Sequence, residues 1–340
     1  MTRHAEEIPP PVAMLGIIQG FWVSRAVSVA AELGIADRIG DRPRSAEDLA
    51  AETGAHAPSV YRLLRALASI GVFSEDGEKR FAMTPLAETL KSDSPGSLRA
   101  LAISELGADH YPAWGAFLHS VRTGEVAFHK VYGMDPWAHR AKHPEDGKIF
   151  DAAMSSFGNV VNEAVVGSYD FSPFSKVVDV GGGDGSFLAR LLSTHPKLRG
   201  IVQDLPHVVP GARRKLADRG LADRAEVVEM SFLEGIVPGG DAYVMKWIVH
   251  DWNDRDSTRI LGNCRRAMSD GARLLLVEAI IPPPNVPALS KFLDLNMMVM
   301  LGGRERTETE YASLLEGAGF RLTGITPTHT EIKVIEAMPI

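Results

Sequence analysis

The sequence of 340 residues contains a single cysteine, Cys264. One cysteine excludes an intrachain disulfide and any metal site built from several cysteines. No apolar run approaches the ~20 residues that a membrane span needs. The amino-terminal stretch, residues 1–11, is polar, acidic and rich in proline, which is unlike a signal peptide. We therefore expect a cytoplasmic protein with no membrane partner.

Positive charge is also scarce in this chain. Lys and Arg number 36 against 43 Asp and Glu, which gives a formal net charge of −7. Nucleic-acid binding draws much of its affinity from basic side chains placed on phosphates, so nucleic acid is not the expected partner. The 45% hydrophobic content is that of an ordinary globular protein, and the length suits about two domains.

A glycine-rich loop follows a short apolar run in the second half of the chain. Residues 177–180 (VVDV) predict a buried parallel strand that is covered on both faces. The glycines of residues 181–185 (GGGDG) allow a sharp turn and leave no Cβ between the backbone and a flat nucleoside. After the next predicted strand, residues 201–203, Asp204 stands where nucleotide-binding folds place the acid that holds the ribose hydroxyls.

The spacing of the glycines separates two classes of nucleoside cofactor. A dinucleotide fingerprint has a third glycine where this chain has Ser186, and it places a pyrophosphate at the helix N-terminus. The carboxylates of Asp179 and Asp184 would repel a pyrophosphate but suit an ammonium or sulfonium group. The loop therefore predicts S-adenosylmethionine, bound around Asp179, Gly181 and Gly183, and a generic strand-to-helix turn is the alternative.

The first hundred residues predict a mostly helical domain with a small wing. Ser45 caps a helix that Gly54 ends, and a second helix with apolar residues at helical spacing covers residues 57–70. A β-hairpin at residues 71–83 follows. Helix, turn, helix and hairpin together make a winged helix.

A winged helix can bind DNA or hold two protein chains together. The helix that would enter a DNA groove offers only Arg62 and Arg65, and residues 1–100 carry more acidic than basic side chains. Residues 12–33 are too hydrophobic to be left in water. We therefore expect this domain to form the interface of a homodimer.

The remainder of the chain changes from helices to alternating strands and helices. Residues 101–170 are helical and rich in aromatic side chains, and we expect some of them to line a pocket. Residues 171–340 alternate strand and helix, which predicts a doubly wound parallel sheet. The last two strands are joined by a short loop and should pair antiparallel. We predict domains over residues 1–100, 101–170 and 171–340, the second being a connector.

A histidine follows the fourth strand of the predicted sheet. His250 lies just past the strand at residues 241–245, where open α/β sheets collect their chemistry. Glu278 ends the fifth strand, and Glu305 lies in the loop of residues 302–307 (GGRERT). A histidine flanked by two carboxylates is an oriented general base. A helix-capping or core histidine is the alternative.

Four motifs together resemble the plant-type small-molecule O-methyltransferases, the caffeic-acid and hydroxyindole O-methyltransferase-like enzymes, which have bacterial relatives in secondary metabolism. The motifs are DVGGGDG (179–185), DLP (204–206), KWIVHDW (246–252) and GGRERT (302–307). The resemblance covers nearly the whole chain. It implies an α/β, Rossmann-like class I methyltransferase domain with an antiparallel last strand, preceded by a winged-helix dimerisation domain.

The resemblance also implies roles for individual residues. S-adenosylmethionine would lie on the glycine loop, with its ribose on Asp204 and its adenine beside Ser231 and Phe232; many members carry Asp in place of Ser231. His250 would be the base, flanked by Glu278 and Glu305. The implied cofactor residues are Asp179, Gly181, Gly183, Asp204, Leu205, Ser231, Phe232, Lys246 and Trp247. The implied acceptor residues are Phe150, Met154, Asp251, Asn296 and Met297.

The implied reaction transfers a methyl group to a phenolic hydroxyl of an aromatic or polyketide-like acceptor and leaves S-adenosylhomocysteine. The sulfonium methyl is already activated, so the enzyme mainly aligns the acceptor oxygen, and an imidazole takes the phenol's proton. We expect no metal ion, because the acceptor is not held as a chelate. Three alternatives stay open: methyl transfer to nitrogen or carbon, a non-methylating relative, and a winged-helix regulator with S-adenosylmethionine as effector.

Overall fold

The computed structural model describes residues 8–94 and 96–340, which form two compact units. One unit contains the described residues up to Tyr111 together with His143–Phe157, and the other contains Pro112–Lys142 and Gly158–Ile340. Most of the stretch interpreted as unlike a signal peptide, residues 1–11, lies outside the described residues. The domain boundaries at residues 100 and 170 stay predictions.

The first unit contains the predicted helices and hairpin. The Ser45 side chain accepts a hydrogen bond from the Asp48 backbone N–H at 3.1 Å, and Gly54 adopts φ +68° at the other end of the helix, as predicted. A two-residue strand that the sequence did not predict pairs with the hairpin, because two residues carry no periodicity. The elements are α1 (Pro10–Glu32), α2 (Ile35–Ile39), β1 (Arg44–Ser45), α3 (Ala46–Thr53), α4 (Ala57–Ala68), β2 (Phe73–Glu75), β3 (Arg80–Met83), α5 (Pro85–Glu88) and α6 (Arg99–Glu105).

Helix α1 corrects one expectation from the sequence. It has 23 residues, and an 18-residue window within it has a mean hydropathy of 1.5, with 6% of that window buried. By length and composition alone it could cross a membrane, so the expectation that no segment approaches a span is wrong. Interspersed Gly, Ser and Gln residues hide the segment in the sequence, but few charges interrupt it. Its exposed side chains include Ile17, Ile18, Phe21 and Trp22. An exposed apolar surface of this kind is typical of an interaction site.

Eight helices and parts of two more accompany the sheet of the second unit. The helix α7 (His110–Gly115) bridges the boundary at Tyr111, and α11 (Pro144–Ser168) bridges the boundary at Phe157. The others are α8 (Phe117–Thr123), α9 (Ala127–Tyr132), α10 (Pro136–Lys142), α12 (Ser186–Thr194), α13 (Val209–Asp218), α14 (Asp254–Ala267), α15 (Ser290–Met300) and α16 (Glu308–Gly317).

The sheet of the second unit has seven strands in the order β6-β5-β4-β7-β8-β10-β9. The first five in that order run parallel, and β10 pairs antiparallel with both β8 and β9, as the sequence predicts. The strands β4, β7 and β8 consist mainly of buried apolar side chains, as expected for a sheet with both faces covered. The strands are β4 (Lys176–Val180), β5 (Arg199–Asp204), β6 (Ala225–Glu229), β7 (Ala242–Lys246), β8 (Arg273–Ala279), β9 (Phe320–Pro327) and β10 (Ile332–Pro339).

The parallel strands fix where chemistry can gather. The carboxyl ends of β4 to β8 lie at one edge of the sheet, so the loops that follow them are neighbours in space. The glycine loop follows β4, and the turn that carries His250 follows β7. The glycine loop and the turn of His250 therefore lie along the same edge of the sheet.

Candidate active site

The glycine loop after β4 is held by the carboxylate that ends β5. Gly181, Gly183 and Gly185 all have positive φ, which favours glycine. The Gly183 N–H donates to Asp204 Oδ2 at 2.8 Å, and the Leu205 N–H donates to Asp204 Oδ1 at 2.7 Å. Burial raises the pKa of Asp204, while these two N–H groups favour its ionised form. Each carboxylate oxygen retains acceptor capacity for a ligand hydroxyl.

The two carboxylates of the loop differ in their surroundings. Asp184 is paired with Lys215 and accepts a hydrogen bond from the Ser186 N–H. The positive charge beside Asp184, which the sequence led us to expect from a bound ammonium or sulfonium group, is therefore supplied by Lys215 of α13. Asp179 is 1% exposed, and its Oδ2 has no hydrogen-bond partner among the described residues. Burial raises the pKa of Asp179 to about 7. Asp179 is therefore the loop carboxylate whose charge a bound cation would neutralise.

The loops after β6 and β7 approach the glycine loop. A Cβ added to Gly181 would lie 2.5 Å from Ile248 Cδ1 and 3.4 Å from Phe232 Cε1, so a larger residue there would have to displace the Ile248 side chain. The Ser231 Oγ accepts from the Leu233 N–H at 3.3 Å within its own turn. Lys246 Nζ lies 4.3 Å from the centre of the Trp247 ring. Burial lowers the pKa of Lys246, although the carboxylate of Asp179 opposes this shift.

His250 lies in a short 3-10 turn (Val249–Asp251) that follows β7. Trp247 enters this turn with φ +55°, a rare conformation for a bulky residue. The backbone N–H groups of Ile248 and Val249 donate to Glu278 Oε1 at 3.1 and 2.9 Å, so the end of β8 holds the turn. This arrangement buries His250, which is 7% exposed.

The imidazole of His250 is surrounded by three carboxylates. Its Nδ1 lies 2.6 Å from Glu305 Oε1 and 3.7 Å from Glu278 Oε2, and its Nε2 lies 3.3 Å from Asp251 Oδ1. Both glutamates are completely buried. The structure thus brings together the three residues that the sequence analysis grouped. The short Nδ1 contact leaves Nε2 as the atom that can exchange a proton with a ligand.

The carboxylates change the acid–base behaviour of His250. Burial by itself would lower the imidazole pKa, but the charges of Glu278 and Asp251 and the charge and hydrogen bond of Glu305 outweigh it, so the pKa of His250 is raised. Burial raises the pKa of Glu278 and also that of Asp251, the latter to about 6. His250 is therefore a stronger base than an ordinary histidine.

The same trio could be considered as a metal site, because one ligand atom from each residue lies within 4.8 Å of the others. Two atoms bound to one zinc ion at ~2.0–2.1 Å each are separated by roughly 3 Å or more. His250 Nδ1 and Glu305 Oε1 are only 2.6 Å apart, and Glu278 Oε1 is used by two backbone N–H groups. These contacts are those of a hydrogen-bonded histidine–carboxylate pair, and the 2.6 Å separation leaves too little room for a zinc ion between these two atoms.

The predicted acceptor residues fall in both units. Asn296 and Met297 lie on α15, and Trp114 Nε1 donates to Asn296 Oδ1 at 2.8 Å. Sequence reasoning missed Trp114 as a partner of Asn296, because nothing links positions so far apart in the chain. Phe150 and Met154 are half-buried on the part of α11 that belongs to the first unit, and their roles stay predictions.

Sequence reasoning also missed Arg306. The side chain is 1% exposed and contacts the carbonyls of Val249 and Trp252, on either side of His250. The residue belongs to the GGRERT motif (302–307), but the motif does not reveal whether an arginine is buried. Arginine is almost never buried without partners, so its burial is informative only once the structure is known.

Two family models match this chain. One is described as an O-methyltransferase domain and matches residues 114–321. The other is described as an O-methyltransferase dimerisation domain and matches residues 15–93. The expected order of a dimerisation domain followed by a methyltransferase domain is therefore confirmed.

Individual relatives match over nearly their full length. Phenazine O-methyltransferase PhzM of Lysobacter antibioticus is 44% identical and covers 100% of this chain and 99% of the relative. The 8-amino-8-demethylriboflavin N,N-dimethyltransferase of Streptomyces davaonensis is 37% identical over 92% of this chain and 91% of the relative. A crystal structure of the neocarzinostatin O-methyltransferase NcsB1 with S-adenosylmethionine and 2-hydroxy-5-methyl naphthoic acid has a TM-score of 0.81, at 33% identity, and covers 94% of this chain and 96% of that one.

We predict that Glu305→Gln lowers the pKa of His250. The change removes a negative charge and the anionic acceptor at 2.6 Å, both of which favour the imidazolium. Histidine-selective NMR titration should show a lower midpoint for His250 in the variant than in the wild type. Glu308→Gln, which removes an exposed carboxylate from the same segment, serves as the control. Equal midpoints for Glu305→Gln and the wild type would contradict the electrostatic assignment.

Proposed function

Because the chain belongs to the O-methyltransferase family, we propose that it methylates a phenolic hydroxyl of an aromatic small molecule, with His250 as the general base. The observation that carries this proposal is the 2.6 Å contact between His250 Nδ1 and Glu305 Oε1, which leaves Nε2 for the acceptor. Family membership supports the reaction class, and the contact supports the assignment of the base.

The methyl donor is S-adenosylmethionine, which supplies an activated sulfonium methyl group when it is bound. Its proposed site is the glycine loop with Asp204 and the turn of Ser231 and Phe232. Two observations support the fit. Oδ2 of the buried Asp179 has no hydrogen-bond partner among the described residues, and apart from its chain neighbours no described residue has an atom within 4 Å of a Cβ placed on Gly183. A cation and a flat nucleoside match this charge and this space.

The acceptor is proposed to be a flat aromatic or polyketide-like molecule. The naphthoic acid complex of NcsB1 and the phenazine named for PhzM support this class. Phe150, Met154, Asp251, Asn296 and Met297 are the proposed acceptor residues. Methyl transfer to nitrogen is the second candidate, because the riboflavin-type relative is named as an N,N-dimethyltransferase.

His250 acts by taking the hydroxyl proton as the oxygen–methyl bond forms. A phenol with a pKa of ~10 is mostly protonated at neutral pH and is a poor nucleophile. The raised pKa of His250 brings the acidity of its imidazolium closer to that of the phenol, so the proton transfer costs less free energy. The same shift means that the resting imidazole holds a proton up to a higher pH, so turnover should rise with pH.

The first unit is proposed to form a homodimer in the cytoplasm, with no nucleic acid or membrane as partner. The match to a dimerisation domain and the exposed apolar side chains of α1 support this proposal. A dimer interface would cover the surface that makes α1 resemble a membrane span. On α4, the helix that would enter a DNA groove in a DNA-binding winged helix, only Arg62 and Arg65 offer positive charge.

We expect light scattering at micromolar concentration to give twice the mass of 36.8 kDa. Ile17 and Phe21 are both exposed on α1. Replacing them together by Glu should yield monomers, because the dimer would then have to bury two carboxylates in its interface. A stable wild-type monomer at this concentration would rule out the homodimer.

Asp204→Ala should weaken binding of S-adenosylmethionine by about 1.5–3 kcal/mol, the scale of lost charge-assisted hydrogen bonds. The change also removes the acceptor for the N–H of Gly183. Isothermal titration calorimetry measures the loss, with Asp218→Ala, an exposed carboxylate on α13, as the control. NADH should leave the thermal midpoint unchanged; stabilisation by NADH alone would refute the cofactor assignment.

His250→Ala should lower turnover by about 10²–10⁴-fold at neutral pH while leaving cofactor affinity nearly intact. The deficit should shrink as the pH approaches the acceptor's own pKa, because the phenol then ionises without help. Transfer of labelled methyl from S-adenosylmethionine to one accepted phenol, measured against pH, gives the profile. The exposed His329→Ala variant is the control.

The glutamates supply a second arm of the same experiment. Glu278→Gln and Glu305→Gln should reduce turnover less than His250→Ala, and their effects should not add to it, because the three residues act as one unit. Turnover like that of the wild type in His250→Ala would show that alignment with the sulfonium suffices. A labelled product that carries the methyl on nitrogen would favour the second candidate.

A further inference from the structure

The guanidinium of Arg306 is buried and fully engaged. Its Nε and Nη2 donate to Asp254 Oδ1 at 3.0 and 2.8 Å, and Nη2 also contacts Trp252 O at 3.0 Å and Ser257 Oγ at 3.3 Å. Its Nη1 donates to Val249 O at 3.2 Å. With 1% exposure, this arginine contributes to the interior and not to the surface.

The carbonyls that Arg306 binds lie on both sides of His250. Val249 immediately precedes the histidine and Trp252 follows two positions later, so one guanidinium spans the 3-10 turn from end to end. The backbone N–H groups of Ile248 and Val249 are already held by Glu278. Glu278 therefore binds the N–H groups at the start of the turn, and Arg306 binds two of the carbonyls that belong to it or follow it.

The main chain around Arg306 also contacts the turn directly. The Arg304 N–H donates to His250 O at 2.8 Å, and a Cβ added to Gly303 would lie only 2.0 Å from that same oxygen. The Ile281 N–H donates to Arg306 O at 2.9 Å, which ties the segment to the chain after β8. Glu305 and Arg306 are consecutive in this segment, so the residue that contacts the imidazole and the residue that binds the carbonyls of its turn are held by the same stretch of backbone.

We propose that Arg306 is a positioning residue that sets the orientation of the His250 imidazole through the carbonyls of Val249 and Trp252. The inference rests on the proposed role of His250 as the base. A planar guanidinium presents five N–H donors in a fixed fork, whereas a lysine ammonium is a compact charge on a flexible chain. Lysine at this position would keep the charge but could not bridge both carbonyls.

Arg306→Lys should lower kcat about 10- to 100-fold, because small displacements of a catalytic group have costs of this order. The KM for S-adenosylmethionine should stay within about twofold. The matched control is Arg224→Lys. Arg224 likewise donates to backbone carbonyls, those of Leu192, His195 and Leu198, but it precedes β6 at the opposite edge of the sheet. This control should lose stability without the loss in kcat.

A second readout needs no acceptor. The proton shared between His250 Nδ1 and Glu305 should give a far-downfield NMR signal, assigned by its disappearance in Glu305→Gln. We expect this signal to shift or vanish in Arg306→Lys and to persist in Arg224→Lys. If the wild type methylates no phenol, the proposed function is wrong. The downfield NMR signal in Arg306→Lys and Arg224→Lys would still test whether Arg306 positions His250.

Gly303→Ala provides an independent variant in case Arg306→Lys does not fold. It leaves the guanidinium in place but pushes on the carbonyl of His250, so it should also lower kcat and shift the downfield signal. Folded Arg306→Lys with kcat and signal like those of the wild type would overturn the proposal. If only Gly303→Ala folds, an unchanged kcat and an unchanged signal in that variant would overturn it equally.

Discussion

Two carboxylates that are completely buried beside one imidazole impose the main constraint on this molecule. Glu278 and Glu305 have no exposed surface, and an isolated buried carboxylate would be very costly in free energy. The protein compensates Glu278 with two backbone N–H groups and Glu305 with the Nδ1 of His250. The position and protonation of His250 follow from this compensation, because the carboxylates raise its pKa.

The sheet makes this constraint possible. Parallel strands bring the ends of β4, β5, β7 and β8 to one edge. The glycine loop, Asp204, His250 and Glu278 therefore become neighbours without being close in the sequence. The edge carries more acidic than basic side chains at its centre, with Asp179, Asp251 and the two glutamates against Lys246 and His250. A cationic methyl donor complements such a site better than a pyrophosphate does.

Much of this arrangement could be predicted from the sequence, for a physical reason. Buried parallel strands are short runs of β-branched and apolar residues bounded by glycine and acidic residues, so β4 and β8 are visible by inspection. Because strand ends are visible, His250 and Glu278 could be assigned to one edge of the sheet. The ranges of β5 and β7 were predicted to within about two residues at each end, as is usual for element boundaries.

Other features depend on packing between distant parts of the chain. The pairing of Asp184 with Lys215 depends on how α13 packs, and the burial of Arg306 depends on the turn after β7. The hydrogen bond from Trp114 to Asn296 joins two helices far apart in the sequence. The sequence did not reveal that α1 is apolar enough to cross a membrane. Gly, Ser and Gln residues break up its apolar run, but its mean hydropathy stays high because it contains few charged residues. Such features have no local signal.

The central claim is that His250 removes the proton of the acceptor. The most direct test measures kcat at neutral pH for a series of phenols whose pKa values span roughly 7 to 10. With the base in place, the rates of the wild type should depend only weakly on phenol pKa. In His250→Ala they should fall about tenfold for each unit of phenol pKa, because only the ionised fraction reacts. Equally steep dependence in both proteins would contradict the account.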